Sequence, residues 1–402
     1  MTTLNIFKKR VINEIEAKLK PRLIEISDWL HDNPEIGSEE QKAAELLTSE
    51  LERHGFALEK NLLNMSTAFK ATFQGEKEGP TISFLAEYDA LPEIGHACGH
   101  NIIGTSAIGA GIATSRLIEE LGGTIIVLGC PAEEGHGLYA SSKCKMVKGG
   151  VFDDIDFALM LHPFDNWAVG SPALAITGLE IEFRGKTVNP AVAPEKGVNA
   201  LAAALITFDS IDHMRQQLKR EVHPVVYGII IEGGVAPNVM PNRVICQFGM
   251  RASEDDYLDV IVNIVKNCAQ GASIATGAEV KITEREDRLP TKKHNKILQN
   301  LLYKNFRILG VNIEDPLVSL SSVPRASTDF SCVTHILPSV EARVAIGPSG
   351  ITTHTQEFEE ATISENGHNA LIIGTKVLTM TAVDLLVSSE IRKKAKDAFI
   401  GK

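Results

Sequence analysis

Thr81-Ile82-Ser83-Phe84-Leu85-Ala86-Glu87-Tyr88-Asp89-Ala90-Leu91-Pro92-Glu93-Ile94-Gly95-His96-Ala97-Cys98-Gly99-His100 opens as an apolar strand and closes in a turn crowded with carboxylate, thiol and imidazole groups. A buried strand that ends in carboxylates needs a compensating charge, and a divalent cation held by a thiolate and an imidazole supplies one. The arrangement recurs at Thr124-Ile125-Ile126-Val127-Leu128-Gly129-Cys130-Pro131-Ala132-Glu133-Glu134-Gly135 and at Phe157-Ala158-Leu159-Met160-Leu161-His162-Pro163. Three apolar strands, each with a potential ligand at its carboxyl end, converge on one crevice in an open α/β sheet.

Working outward, helical spacing of Val11, Ile12, Ile15 and Leu19 predicts an N-terminal helix, and Pro21 either kinks it or opens the next. Ser38-Glu39-Glu40-Gln41 reads as a capping box for a helix that stops near Gly55. Strands are expected at 68–74 and 81–89, and a Gly- and Ala-rich helix from Asn101 to Leu121 suits close packing on a sheet. From Ile176 the pattern changes to strand 176–184, helix 197–217, strand 225–232, strand 243–251, helix 254–270 and strand 278–283. That β-α-β-β-α-β order is a ferredoxin-like unit inserted into the first domain. The expected layout is a two-domain α/β protein: a discontinuous catalytic domain of residues 1–175 and 286–402, and an inserted lid of residues 176–285. A closing helix runs from Glu365 to Val387.

The length of 402 residues and an apolar content of 44% support two cores. Lys plus Arg number 40 against 51 Asp plus Glu, a formal charge of -11, which disfavours nucleic acid and anionic membrane partners. No apolar run is read as a bilayer span, and the first ten residues lack the apolar core of a signal peptide, so a cytoplasmic location is expected. Cys98, Cys130, Cys144, Cys246, Cys268 and Cys332 show no framework spacing, and the five other than Cys98 read as small buried hydrophobes with reduced thiols.

The motifs Ala86-Glu87-Tyr88-Asp89-Ala90-Leu91-Pro92 and Gly95-His96-Ala97-Cys98-Gly99-His100-Asn101 resemble those of the two-metal aminoacylase and carboxypeptidase family, peptidase family M20, in its amidohydrolase subgroup. Within it the chain is most similar to the β-alanyl-lysine dipeptidase-like members, over nearly its whole length. The resemblance implies that Cys98, His100, Glu134, His162 and His354 hold two divalent ions, the cysteine standing where other members use a bridging aspartate. Thiolate, imidazole and carboxylate suit zinc, although relatives accept manganese, cobalt or nickel. Taken singly, His162 before a proline reads as a strand-end histidine, and His354 as a loop residue. Asp89 is expected to orient a ligand imidazole, with a turn cap as its plainer role. His96 is read as structural.

Adjacent side chains at a strand end diverge, so Glu133 and Glu134 cannot both ligate from one side. The resemblance makes Glu134 the ligand and Glu133 the general base that takes a proton from water and delivers it to the leaving amine. A Cys98–His100 nucleophile pair lacks a clear third orienting residue, and a zinc deaminase would need a Pro-Cys-x-x-Cys that is absent.

In the lid, Gly233-Gly234-Val235-Ala236-Pro237-Asn238 and Met250-Arg251 match family segments whose asparagine and arginine bind a substrate carboxylate. Ser327-Thr328-Asp329 matches another motif near the site. The chain departs from the family at Asn189, where relatives carry a histidine that stabilises the oxyanion, and at Glu341, where close relatives often have histidine. The resemblance therefore implies an amidohydrolase acting on small N-acyl amino acids or dipeptides, forming a homodimer or higher homo-oligomer through its lid. The alternative is a catalytically impaired member that binds metal and ligand in a regulatory role.

Overall fold

The apolar runs become the inner strands of a seven-stranded sheet in a computed structural model that describes residues 3–285, 288–313, 315, 316, 318 and 326–401. Its strands are β1 (Ala57–Lys60), β2 (Phe69–Gln74), β3 (Thr81–Ala86), β4 (Thr124–Gly129), β5 (Phe157–Phe164), β6 (Ala168–Val169) and, late in the chain, Ser339–Ala345, called β11 below. The spatial order is β1-β2-β4-β3-β5-β11-β6. β4, β3, β5 and β11 run parallel, while β1, β2 and β6 pair antiparallel at the two margins. Parallel strands covered on both faces read as continuous apolar runs, which is why Ile82–Ala86 and Ile125–Gly129 are buried throughout.

After β3 the chain crosses to β4 on one side and then to β5 on the other, so the order reverses about β3. The carboxyl ends of strands at such a reversal splay apart and leave a crevice. The helix His100–Ser115 packs tightly beneath it, and at Gly104 a β-carbon would meet the Glu87 carbonyl at 2.8 Å.

The chain divides into two compact units, Met1–Ser171 with Lys292–Ser322 and Asp329–Lys402, and Pro172–Thr291 with Val323–Thr328. The second unit begins before and ends after the expected 176–285, and it takes in a short downstream segment. It holds β7 (Ala175–Arg184), β8 (Val225–Glu232), β9 (Arg243–Ala252) and β10 (Glu279–Glu284) in the antiparallel order β10-β7-β9-β8, with helices Ala200–Met214 and Asp255–Thr276. That is the ferredoxin-like topology. Its core is separate, built from residues such as Leu179, Phe183, Phe248, Leu258 and Val265.

Several expectations are settled or corrected. Of the two readings of Pro21 the second holds: a wide turn at Ile15–Leu19 ends Thr3–Glu14, and Pro21 stands in the first turn of the next helix, Lys20–Asp32, where a missing amide donor is tolerated. The capping box does not form. Ser38 lies at φ +75, its hydroxyl accepts from the Tyr139 amide, and the helix Gln41–Arg53 has no side-chain cap from Glu40. Glu35 takes that place, accepting the Ala43 amide at 2.9 Å. The helix expected at 101–121 stops at Ser115 and is followed by a short turn of helix at Ile118–Leu121.

Helix Glu365–Val387 is apolar and long enough to cross a membrane by length and composition, but 89% of its most apolar window is buried inside the protein. It is a core helix. Cys144 and Cys332, expected to be free thiols, form a disulfide across a sequence separation of 188, while Cys98, Cys130, Cys246 and Cys268 are free.

Candidate metal centre

Strand ends and the turns behind them supply every group of the site. The turn Ala90–Gly99 folds back so that the Leu91 and Gly95 backbones bond each other, and Gly99, at φ +79, starts the helix that carries His100. Cys98 and His100 thus flank one sharp corner. His162 stands on β5 itself, and Glu133 and Glu134 follow β4. His354 lies at φ +64 on a loop, held there by the hydrogen bond its backbone N–H donates to the Ala97 carbonyl at 2.9 Å.

Two donor sets meet at the thiol. Ligand atoms of Cys98, His100 and His162 lie within 4.8 Å of one another, as do those of Cys98, Glu134 and His354. They share Cys98. Cys98 Sγ is 3.7 Å from His162 Nε2, and His354 Nε2 is 3.4 Å from Glu134 Oε2. All five residues expected to hold metal are therefore brought together.

The imidazoles are pre-oriented. His100 Nδ1 donates to Asp89 Oδ1 at 2.8 Å and His162 Nδ1 donates to the Pro163 carbonyl at 2.7 Å, so each ring presents an unprotonated Nε2 when neutral. His100 Nε2 and Glu134 Oε1 are buried without a hydrogen-bond partner. Such atoms are costly unless something else satisfies them, and a divalent ion fits this donor set. Asp89 also accepts the Glu134 amide through Oδ2 at 3.0 Å, so one carboxylate fixes two donors.

Electrostatics separates the adjacent glutamates. Burial pushes the Glu133 carboxyl well above its ordinary range, reinforced by the negative charge of Glu87. Burial opposes ionisation of Glu134 too, but the His354 hydrogen bond and the nearby His100 charge outweigh it and hold Glu134 low. Two carboxyls pushed in opposite directions side by side suit an acid–base pair of roles. Burial, with the Glu134 charge, raises the Cys98 thiol well above its usual value, so metal capture there releases a proton.

Behind this cluster lies a network that the sequence did not reveal. Glu87, His100 and Glu133 form a third close group, and a buried lysine balances its charge. That lysine is Lys143, with its Nζ 2.7 Å from Glu87 Oε1 and 2.5 Å from Asp329 Oδ1, and its amide donates to Asp329 Oδ2 at 3.0 Å. Glu87 Oε2 in turn is 3.5 Å from His100 Nε2. Glu87 could have been noticed as a strand-end carboxylate on the same side as Asp89. Lys143, within Ser142-Lys143-Cys144-Lys145, reads as an ordinary surface lysine. The Cys144–Cys332 bond joins the same two segments.

Other expected residues take local partners. His96 is buried, held neutral with its pKa lowered to about 3 by burial, and belongs to neither donor set. Glu341 is buried but neutralised, 2.5 Å from Lys292 Nζ; although burial opposes it, that partner lowers its pKa to about 2. Asn238, Arg251 and Asn189 belong to the second unit. Arg251 reaches the Tyr227 hydroxyl and Ser327 Oγ, each at 3.4 Å. The exposed Asn189 folds on itself, its Oδ1 accepting the Ala191 amide at 2.9 Å.

The family model of Peptidase family M20/M25/M40 matches residues 83–382, the span that contains the donor clusters. The chain belongs to this family. It is 30% identical to the Xaa-Arg dipeptidase of Mus musculus over 98% of this chain and 93% of that relative. It is 28% identical to a p-aminobenzoyl-glutamate hydrolase chain of Escherichia coli (strain K12), over 94% of this chain and 92% of that one. The fold also matches the crystal structure of a dinuclear metal binding peptidase of the M20 family from Bacillus subtilis, with a TM-score of 0.68 at 20% identity over 91% of this chain and 98% of that one. This M20 chain is a metallopeptidase-type amidohydrolase.

Proposed function

We propose that the chain hydrolyses the amide bond of a small N-acyl amino acid or dipeptide with two divalent ions held by Cys98, His100, Glu134, His162 and His354. The observation that carries this reading is the pair of donor sets sharing Cys98, with Glu133 beside them. Bound divalent ions supply Lewis acidity, polarising a carbonyl and acidifying water. Zinc suits the donors best, with manganese, cobalt or nickel as the other candidates. Glu133 takes the proton of the attacking water, whose oxygen bonds to the carbonyl carbon. It then gives that proton to the amine nitrogen as the C–N bond breaks. Asp89 fixes His100 and Glu134 in place.

Arg251, Asn238 and Asn189 are assigned to the substrate, the first two to its carboxylate. Similarity to an Xaa-Arg dipeptidase supports a dipeptide substrate, and the motifs at Ala86–Pro92 and Gly95–Asn101 support the β-alanyl-lysine dipeptidase-like subgroup. The charge of -11 supports a small-molecule partner in place of nucleic acid or membrane. A cytoplasmic location belongs to the same reading, and the Cys144–Cys332 bond weighs against it, since disulfides are rare there. Homo-oligomerisation through the lid is supported by β8, an edge strand that exposes Val225, Tyr227, Ile229 and Ile231. The second reading, an impaired member, draws on Asn189, whose side-chain oxygen caps its own turn and which lacks the charge of an imidazole.

Protein purified without chelator is expected to carry about two divalent ions per chain, as two-metal catalysis requires, and to lose turnover on N-acyl amino acids or dipeptides when they are stripped. Elemental analysis with a substrate screen, with and without chelator, tests this; metal-free protein that stays active refutes it. Arg251→Ala should weaken substrates with a free α-carboxylate far more than their amidated analogues, because a charge-assisted pair is lost. Equal losses in kcat/KM on both would make Arg251 structural.

A further inference from the structure

Glu40 is fully buried and stands immediately before helix Gln41–Arg53, yet its carboxylate does not serve that helix. Oε1 accepts the Ala132 amide at 2.8 Å, and Oε2 accepts the Thr67 hydroxyl at 3.0 Å. Thr67 is itself fixed, its carbonyl accepting from the buried Tyr88 hydroxyl at 2.6 Å. Ala132 has φ +55, a left-handed conformation disfavoured for a residue with a β-carbon. It directly precedes Glu133 and Glu134.

A second segment bears on the same turn. A β-carbon at Gly37 would come within 2.7 Å of the His136 carbonyl oxygen and 3.0 Å of the Ala132 β-carbon, so the 37–40 stretch lies flat against 132–136. The Glu134 amide is held from the other side by Asp89. Ala132 is therefore the residue at which the chain turns between β4 and the two glutamates, and Glu40 accepts its backbone N–H.

We propose that Glu40 is a positioning residue: by accepting the Ala132 N–H it holds Ala132 in the left-handed conformation that sends Glu133 and Glu134 to their separate places. The proposal rests on the assignment of Glu133 and Glu134 made above. Relaxation of Ala132 towards ordinary backbone angles would displace both the base Glu133 and the ligand Glu134, although Glu40 itself belongs to neither donor set. Misplacement by about 1 Å can lower a rate by on the order of 10²-fold.

The test is a double-mutant cycle in the metal-loaded protein. Glu40→Ala should lower kcat by about 10²-fold with little change in KM. Glu40→Gln, whose amide oxygen still accepts the Ala132 N–H, should keep most of it. Ala132→Gly adopts a positive φ without penalty, so adding it to Glu40→Ala should recover much of the lost kcat. An equal loss of kcat from Glu40→Ala with and without Ala132→Gly, or full kcat in Glu40→Ala alone, overturns the proposal. Should Glu40→Ala fail to fold, Thr67→Val keeps the carboxylate and removes only its restraining hydroxyl. A kcat loss that Ala132→Gly reverses supports the proposal, and a loss it does not reverse, or no loss, defeats it. Failure of the base assignment shows separately, as retained turnover in Glu133→Gln.

Discussion

Turnover of the Glu133→Gln variant is expected to fall by about 10²–10⁴-fold, the usual contribution of a general base, while its metal content stays unchanged. Glutamine keeps the shape of a side chain that is only 11% exposed, so packing behind β4 is preserved. What it loses is the ability to take up and return a proton. Glu133 is suited to that exchange because burial and the Glu87 charge raise its carboxyl, whereas Glu134 is held low beside His354. Single-turnover kinetics with parallel metal analysis separates the two roles. Loss of metal together with activity would move Glu133 among the ligands, and unchanged turnover would remove it from the reaction.

Lys143→Met should destabilise the folded protein by about 3–5 kcal/mol, the range seen when one partner of a buried ion pair is removed. The lysine is fully buried between Glu87 and Asp329, and deleting its charge leaves two carboxylates without a counter-ion in the interior. Methionine fills nearly the same volume, so the loss reports charge more than cavity. Adding Glu87→Gln to Lys143→Met should recover part of it, because one uncompensated charge then disappears. Denaturant unfolding of the metal-loaded protein measures both steps. A Lys143→Met variant as stable as the parent would show that water or a rearranged carboxylate already screens the pair.

Much of the local plan was legible in the chain. Continuous apolar runs at Ile82–Ala86, Ile125–Gly129 and Phe157–Leu161 announced buried parallel strands, because period and composition are local properties. The β-α-β-β-α-β order of the second unit followed from the same signals, and β8 fell at the residues expected. The Ser38–Gln41 capping box misled because its side chains have partners elsewhere: the Ser38 hydroxyl accepts the Tyr139 amide, Gln41 donates to the Ser66 hydroxyl, and Glu40 between them is also taken. Ala132, ninety-two residues away in sequence, offers Glu40 an amide in the buried interior. The cysteines misled for a related reason: Cys144 and Cys332 have no spacing signature because only the packing of two short helices brings their Cα atoms to 5.3 Å.

Sequence by itself determined the kinds of chemical group and the strand ends that carry them: Cys98 and His100 at one corner, the Glu133–Glu134 pair behind β4, His162 on β5, and His354 far along the chain. Those are facts of residue type and hydrophobic pattern, and both are written residue by residue. Tertiary structure decided which atoms face one another. It divided five donors into two sets around Cys98, used Asp89 to orient His100 and Glu134 together, and placed Lys143 between Glu87 and Asp329. These pairings join residues distant in the chain, and they form because a buried charge or polar atom must find a partner in the interior, wherever along the sequence that partner lies.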